Sequence, residues 1–173
     1  RVPGPIAMQV EYSLVARDVE AEHIPAAQDA GMGVMPWSPL AGGFLTGKYK
    51  RDDTSGTGRL SGANPFGDSK FSDRNWDILA VLNEVAAEQD RMPAQIALAW
   101  VMAKRGVIST LVGASSVSQL SGNISATEVT LTDDQMSRLD QVSALASGFS
   151  ASLTAPMIRR MVYGGHDVTG WAG

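Results

Sequence analysis

The sequence predicts an α/β fold built on parallel strands joined by helical crossovers. Three observations carry this. Short apolar runs recur at Ile6–Leu14 (IAMQVEYSL), Met32–Trp37 (MGVMPW) and Val107–Gly113 (VISTLVG). Segments with helical periodicity and capping signals separate them, long enough for crossovers. The second and third runs end in glycine- and serine-rich stretches, WSPLAGG and GASS. Three parallel strands leave open edges, whereas parallel sheets are normally covered and often closed. The pattern therefore fits part of a barrel or part of a doubly wound sheet.

Taken in order, Ile6–Leu14 is rich in strand formers. In DVEAEHIPAAQDAG, Asp18 is the expected N-cap, Pro25 starts the regular part of a helix, and Gly31 stops it. MGVMPW is the second strand. Residues 38–73 lack apolar periodicity and contain TSGTGRLSGANPFGDS, which predicts a long loop of the kind that is usually functional or disordered. SDRNWDILAVLNEVAAEQD places Trp76, Leu79, Leu82, Val85 and Ala86 at helical spacing. MPAQIALAWVMAKRG is a more apolar helix with Pro93 in its first turn and Gly106 as C-cap. VISTLVG is the third strand. Ser116 opens a helix over SVSQLSGNISA, and Thr132 with Gln135 has the spacing of a capping box for LTDDQMSRLDQVSAL. The tail 148–173 reads as irregular, with one turn around APMIRRMV.

At 173 residues, one domain spanning 1–173 is expected. Apolar content of 44% and charged content of 18% are ordinary for a globular chain. A net charge of −4 argues against wholesale nucleic-acid binding. The absence of cysteine excludes disulfides, a thiolate nucleophile and zinc–thiolate sites. His23 and His166 are far apart, so no metal site is expected. No apolar run reaches membrane-spanning length and nothing resembles a signal peptide, so no membrane partner and a cytoplasmic location are expected. The sequence opens at Arg1 in a loop-like RVPGP and reads as a piece of a longer chain.

In a β/α barrel, ligands sit at the C-terminal ends of strands. Gln9 lies on the first strand, WSPLAGG ends the second, and Gly113–Ser116 ends the third and opens a helix. A helix N-terminus presents free N–H groups and partial positive charge to a phosphate. Gly113 permits close backbone approach, and Ser115 and Ser116 add hydroxyls. The plainer alternative is that Ser116 only caps the helix, with Gln119 completing a capping box. Trp37 offers an aromatic face for a flat ring, although a lone tryptophan there more often belongs to the core. Lys48 and Arg59 have the chemistry of phosphate clamps, although a lone surface cation is usually just solvated. Tyr12 carries a phenol, but a strand tyrosine is far more often packing than a catalytic acid.

Together, QVEYSLVARDVE, GVMPWSPLAGGFLTGKY, PAQIALAW and LVGASSVSQLSGNISATEVTLTDDQMSRLD resemble the aldo-keto reductase superfamily in order and spacing, from about Ala7 to about Leu139. The WSPLAGG…GKY and GASS forms look most like the branch of bacterial general-stress-type reductases and potassium-channel β subunits. The resemblance implies a (β/α)8 barrel that reduces aldehydes and ketones with NADPH. This chain would be its C-terminal part, about strands six to eight. By the same resemblance, Gln9 would bond the nicotinamide carboxamide and Trp37 would stack on the nicotinamide ring. Ser38, Pro39, Leu40, Ala41 and Gly42 would line the pyrophosphate, with Lys48 and Arg59 reaching the phosphates from the loop. Gly113, Ala114, Ser115, Ser116, Gln119 and Asn123 would hold the adenosine end and its 2′-phosphate.

Two positions depart from the family pattern. Ser115 stands where many members have arginine, so NADP(H) recognition rests on Lys48 and Arg59, and NAD(H) stays open. Gly122 stands where an acidic residue commonly meets the adenine amino group. The family's catalytic tetrad of aspartate, tyrosine, lysine and histidine comes from the N-terminal half and maps onto no residue here; Tyr12 belongs to the EYS motif. The resemblance thus implies a reductase whose catalytic groups lie elsewhere. Its substrate would be a small carbonyl compound. Its partner would be the missing half-barrel, or another copy joined through open strand edges. A nucleotide-sensing interaction module like the channel subunits, and an inactive fragment, are the alternatives.

Overall fold

A computed structural model describes residues 3–52, 58–60, 70–145 and 156–166. Strand β1 (Ala7–Glu11) pairs in parallel with β2 (Gly33–Trp37), in a register that runs from Ala7 opposite Gly33 to Glu11 opposite Trp37. Between them lie a 3-10 turn (Asp18–Glu20) and helix α1 (His23–Asp29). Pro25 sits in the first turn of α1, where its missing N–H would have no helical acceptor in any case. Asp18 does not cap α1 as expected. It lies inside the separate turn, and α1 follows Glu22 with no side-chain cap. Gly31, at φ +68°, ends the segment in the left-handed conformation that suits glycine.

The third run is not a strand. Residues 107–111 do lie beside β2: Val34 N–H donates to Gly106 O at 2.8 Å, Ile108 N–H to Val34 O at 3.0 Å and Leu111 N–H to Pro36 O at 2.8 Å. Among the described residues, this run forms a single bridge, Val107 opposite Val34, and the sheet has two strands. Proline explains the failure. A regular parallel ladder needs the N–H of residue 36 as its next donor toward the third segment, and Pro36 has none. The acceptor bond at Pro36 O then slips to Leu111, one residue beyond the regular position. Thr110 Oγ1 is left buried with no hydrogen-bond partner among the described residues.

Helix α2 (Asp73–Glu88) begins after Ser72, whose hydroxyl accepts from Asn75 N–H. Helix α3 (Pro93–Met102) has proline at its first position, and Gln95 reaches back to Met92 N–H at 2.9 Å. Its cap is Ala103 rather than Gly106, which lies in the following turn at φ +89°. Helix α4 (Val117–Ile124) is capped by Ser116, and α5 (Asp133–Val142) carries the reciprocal Thr132–Gln135 box. A short helix, α6 (Pro156–Val162), lies in the tail. The remaining residues of the expected irregular tail, 148–155 and 167–173, fall outside the described residues. The core gathers Tyr12, Leu14, Phe44, Leu45, Ile78, Leu82, Ile96 and Trp100 between the sheet and helices α2, α3 and α5.

The segment 38–73, expected to be one long loop, has structured ends. Ala41–Thr46 forms tight turns that bury Phe44 and Leu45. The Phe44 ring meets Trp76 edge-on at 4.9 Å, Phe71 stacks on Trp76 at 5.9 Å, and Tyr49 meets Phe71 at 5.3 Å. Lys70 pairs with Glu11 at the end of β1 at 3.0 Å. Both ends of the segment are therefore fastened to the body. Its residues 53–57 and 61–69 fall outside the described residues.

Candidate functional site

The C-terminal ends of β1, β2 and the 107–111 segment share one edge of the sheet, since Glu11 is opposite Trp37 and Leu111 bonds to Pro36. Gln9 sits in β1 opposite Met35 and is exposed. Trp37 is 42% exposed, so it is not a core tryptophan. Gly113 and Ala114 follow at the same edge, both exposed, and a Cβ added to Gly113 would meet nothing within 4 Å.

Directly after Trp37 the backbone is strained. Ser38 and Ala41 adopt φ +54° and +49°, and Gly42 and Gly43 follow at +66° and +95°. The left-handed region is ordinary for glycine but uncommon for serine and alanine, and such strain clusters at functional sites. Pro39 and Ala41 are buried while Ser38, Leu40 and Gly42 are half-buried, so the turn presents backbone as well as side chains to its surroundings.

Lys48 returns to this turn. Its Nζ lies 3.0 Å from where a Cβ on Gly43 would be, and 2.9 Å from the equivalent point on Gly58. It sits 5.1 Å from the centre of the Tyr49 ring. Arg59 is exposed one residue further along, and the Leu60 N–H beyond it donates to the Tyr49 hydroxyl at 3.0 Å. The glycine turn, Lys48 and residues 58–60 are thus brought together.

The α4 end forms its own cluster. Gln119 Oε1 accepts from both Ser115 N–H (2.9 Å) and Ser115 Oγ (3.0 Å), while Ser116 Oγ accepts from Gln119 N–H (3.2 Å). Ser116 does cap the helix, but Gln119 closes onto Ser115 and not onto Ser116 as a capping box requires. Asn123, half-buried, lies one turn further along α4.

Tyr12 is fully buried and donates to Glu20 Oε1 at 2.5 Å. Burial first, and then that hydrogen bond, pushes its phenol far above the ordinary tyrosine range. It stays neutral and acts in packing. His23 and His166 are both exposed. Among the described residues no group of three or more histidines, aspartates or glutamates could hold a metal, and no helix is long and apolar enough to cross a membrane.

A comparison with protein-family models decides the family. The model described as "Aldo/keto reductase family" matches residues 1–144. The chain belongs to the aldo/keto reductase family. It is 33% identical over 142 residues to "Uncharacterized oxidoreductase YrpG" of Bacillus subtilis (strain 168), covering 82% of this chain and 41% of that protein. It is 32% identical over 130 residues to "Probable aldo-keto reductase 1" of Glycine max, covering 75% and 37% respectively. With "Uncharacterized oxidoreductase Rv2298" of Mycobacterium tuberculosis (strain ATCC 25618 / H37Rv), identity is 33% over 158 residues, covering 91% and 48%. The chain thus spans less than half the length of the curated relatives it matches. A (β/α)8 barrel is the architecture the family implies, and the small parallel sheet flanked by helices agrees with α/β construction.

Sequence reasoning missed Tyr49, Lys70 and Phe71, which organise the long segment, and the set Arg17, Glu20, Lys104, Asp140 and Ser143. Only the aromatic content of FLTGKY and KF hinted at the first group. No local signal marks the second, because Arg17 meets Ser143 across 126 positions.

Proposed function

We propose that this chain is the C-terminal, cofactor-binding half of a (β/α)8 reductase barrel, and that the complete, cytoplasmic protein reduces small aldehydes and ketones to alcohols with NADPH. The observation that carries the reading is the strained turn after β2, with exposed Trp37 at its start and Lys48 returning to its glycines. An aromatic face offers a platform for a planar ring, and a glycine turn beside an ammonium suits a pyrophosphate. NADH is the second candidate cofactor, because Ser115 contributes no charge toward a 2′-phosphate.

When bound, the dihydronicotinamide supplies the hydride that goes to the carbonyl carbon. The residues of this chain bind and orient it. Gln9 would hold the carboxamide, Trp37 would cover one face of the ring, Ser38–Gly42 with Lys48 and Arg59 would take the phosphates, and Gly113–Ser116 with Gln119 and Asn123 would take the adenosine. The proton for the carbonyl oxygen needs a positioned donor of tuned pKa. The neutral, buried Tyr12 is unsuited to that role, so the donor would come from the other half of the barrel.

Titration of the chain with NADPH, followed by tryptophan fluorescence, tests the reading, and absence of binding would overturn it. Trp37→Ala should weaken that binding by about 1–3 kcal/mol, the scale of a lost stack plus its buried area. Unchanged affinity would remove Trp37 from the site.

The 173 residues alone should neither oxidise NADPH with an aldehyde panel nor stay monomeric. Ile6, Ile108 and Val112 are exposed around the unclosed sheet, and Val117, Leu120 and Ile124 form an exposed stripe on α4 at helical spacing. Apolar surface of this kind, next to open backbone edges, drives association unless a partner covers it. Light scattering should detect dimers or larger species. A stable monomer, or carbonyl reduction by the chain alone, would contradict the half-barrel assignment.

A further inference from the structure

Five of the cations placed in the structure are paired with carboxylates. Arg17 pairs with Glu20, Lys70 with Glu11, Lys104 with Asp140, Arg51 with Asp73, and Arg138 with Glu84 and Glu88. Lys48 differs. Among the described residues it has no carboxylate partner, and its ammonium sits over the Tyr49 ring at 5.1 Å. The distinction matters for a group that must meet an anion. A carboxylate would fix the ammonium but cancel its charge, whereas an aromatic face fixes it and leaves the charge in place.

Tyr49 has the rigidity for such a role. It is 3% exposed, and its ring abuts Phe71 at 5.3 Å. Its hydroxyl accepts the Leu60 N–H at 3.0 Å. Gly58 passes so close to that hydroxyl that a Cβ there would collide with it. One side chain therefore touches both Lys48 and the segment 58–60 that contains Arg59.

We infer that Tyr49 is a positioning residue of the nucleotide site: its ring holds Lys48 beside the glycine turn as an unneutralised charge, and its hydroxyl anchors the segment carrying Arg59. This rests on the nucleotide-binding reading above. Tyr49 touches no phosphate itself; it acts through the two cations.

A double-mutant cycle on the 173-residue chain tests it, with NADPH affinity as the readout. Tyr49→Leu should weaken NADPH binding about two- to fivefold, the scale of removing a cation–π interaction. The same change made in a background that carries both Lys48→Met and Arg59→Met should cost nothing further. Equal losses in the two backgrounds, or none in either, would overturn the inference and leave Tyr49 as packing. Should Tyr49→Leu fail to fold, Tyr49→Phe decides. It keeps the ring but frees the Leu60 amide, whose hydrogen exchange should accelerate about tenfold, as expected for one missing hydrogen bond. Its NADPH affinity should also fall, and that loss should vanish in an Arg59→Met background. Unchanged exchange, or a loss that persists without Arg59, would overturn it. If the unmutated chain binds neither NADPH nor NADH, the nucleotide reading itself has failed, and the role of Tyr49 falls with it.

Discussion

Replacing Arg17 with methionine is expected to remove about 3–5 kcal/mol of stability, the scale of breaking a buried ion pair from one side. Nε and Nη2 of Arg17 grip both carboxylate oxygens of Glu20, at 2.8 and 2.7 Å. Nη1 donates to the Asp140 carbonyl at 2.8 Å and to Ser143 Oγ at 2.7 Å. The guanidinium also lies 5.3 Å from the Trp100 ring centre, and only 10% of the side chain is exposed. This one fork joins the turn after β1 to the end of α5 and to α3. Methionine fills similar volume, so the loss would come from the stranded acceptors rather than from a cavity. Arg17→Lys should recover only part of it, because an ammonium cannot grip Glu20 with two prongs. Urea unfolding at neutral pH reads both variants. A loss under about 1 kcal/mol would mean that water repairs the network, as it does for exposed pairs. The same cluster has an alkaline signature. Tyr12, hydrogen-bonded to Glu20, has a phenol pKa raised on folding. Its contribution is complete below the unfolded tyrosine pKa of about 10 and is lost as pH climbs above it.

What could be read from the sequence was local. The Thr132–Gln135 box, the Ser116 cap, Pro93 at a helix start and the strand character of β1 and of β2 each follow from residues within a few positions of each other. Where an element depended on a distant partner, local pattern misled. Val107–Gly113 has the composition of a strand, but its pairing is decided by Pro36, which withholds the donor that a ladder needs. Asp18 looks like a cap, but the chain turns separately there because Arg17 is drawn to Asp140 and Ser143. The segment 38–73 shows no periodicity, because Phe44, Tyr49, Phe71 and Trp76 meet as a cluster and not along one face of a helix. In the candidate site, the glycines of WSPLAGG were legible. The left-handed Ser38 and Ala41 were not, since neither residue type announces such a backbone.

Removing Lys48 and Arg59 together, as Lys48→Met with Arg59→Met, should weaken NADPH more than NADH, by roughly 1.5–3 kcal/mol for each charge-assisted hydrogen bond removed. The reason begins at α4. Where many family members carry arginine, this chain has Ser115, and its N–H and hydroxyl both bond to Gln119. A serine hydroxyl brings no charge to a 2′-phosphate. On the proposed nucleotide reading, the cations that would supply it are on the segment that returns to the glycine turn, where Lys48 sits beside Gly43 and Gly58, and Arg59 follows. Arginine can take a phosphate through two parallel N–H bonds, and lysine through a single strong one. If either meets the 2′-phosphate, the double variant loses discrimination as well as affinity, and the ratio of the two dissociation constants moves toward unity. Raising salt should shrink the difference between parent and variant, because exposed charges are screened beyond about 10 Å at 0.1 M. Equal losses for the two nucleotides would instead place both cations on the pyrophosphate. Preference for NADPH would then have no charged basis in this half of the barrel, and NADH would become the better assignment.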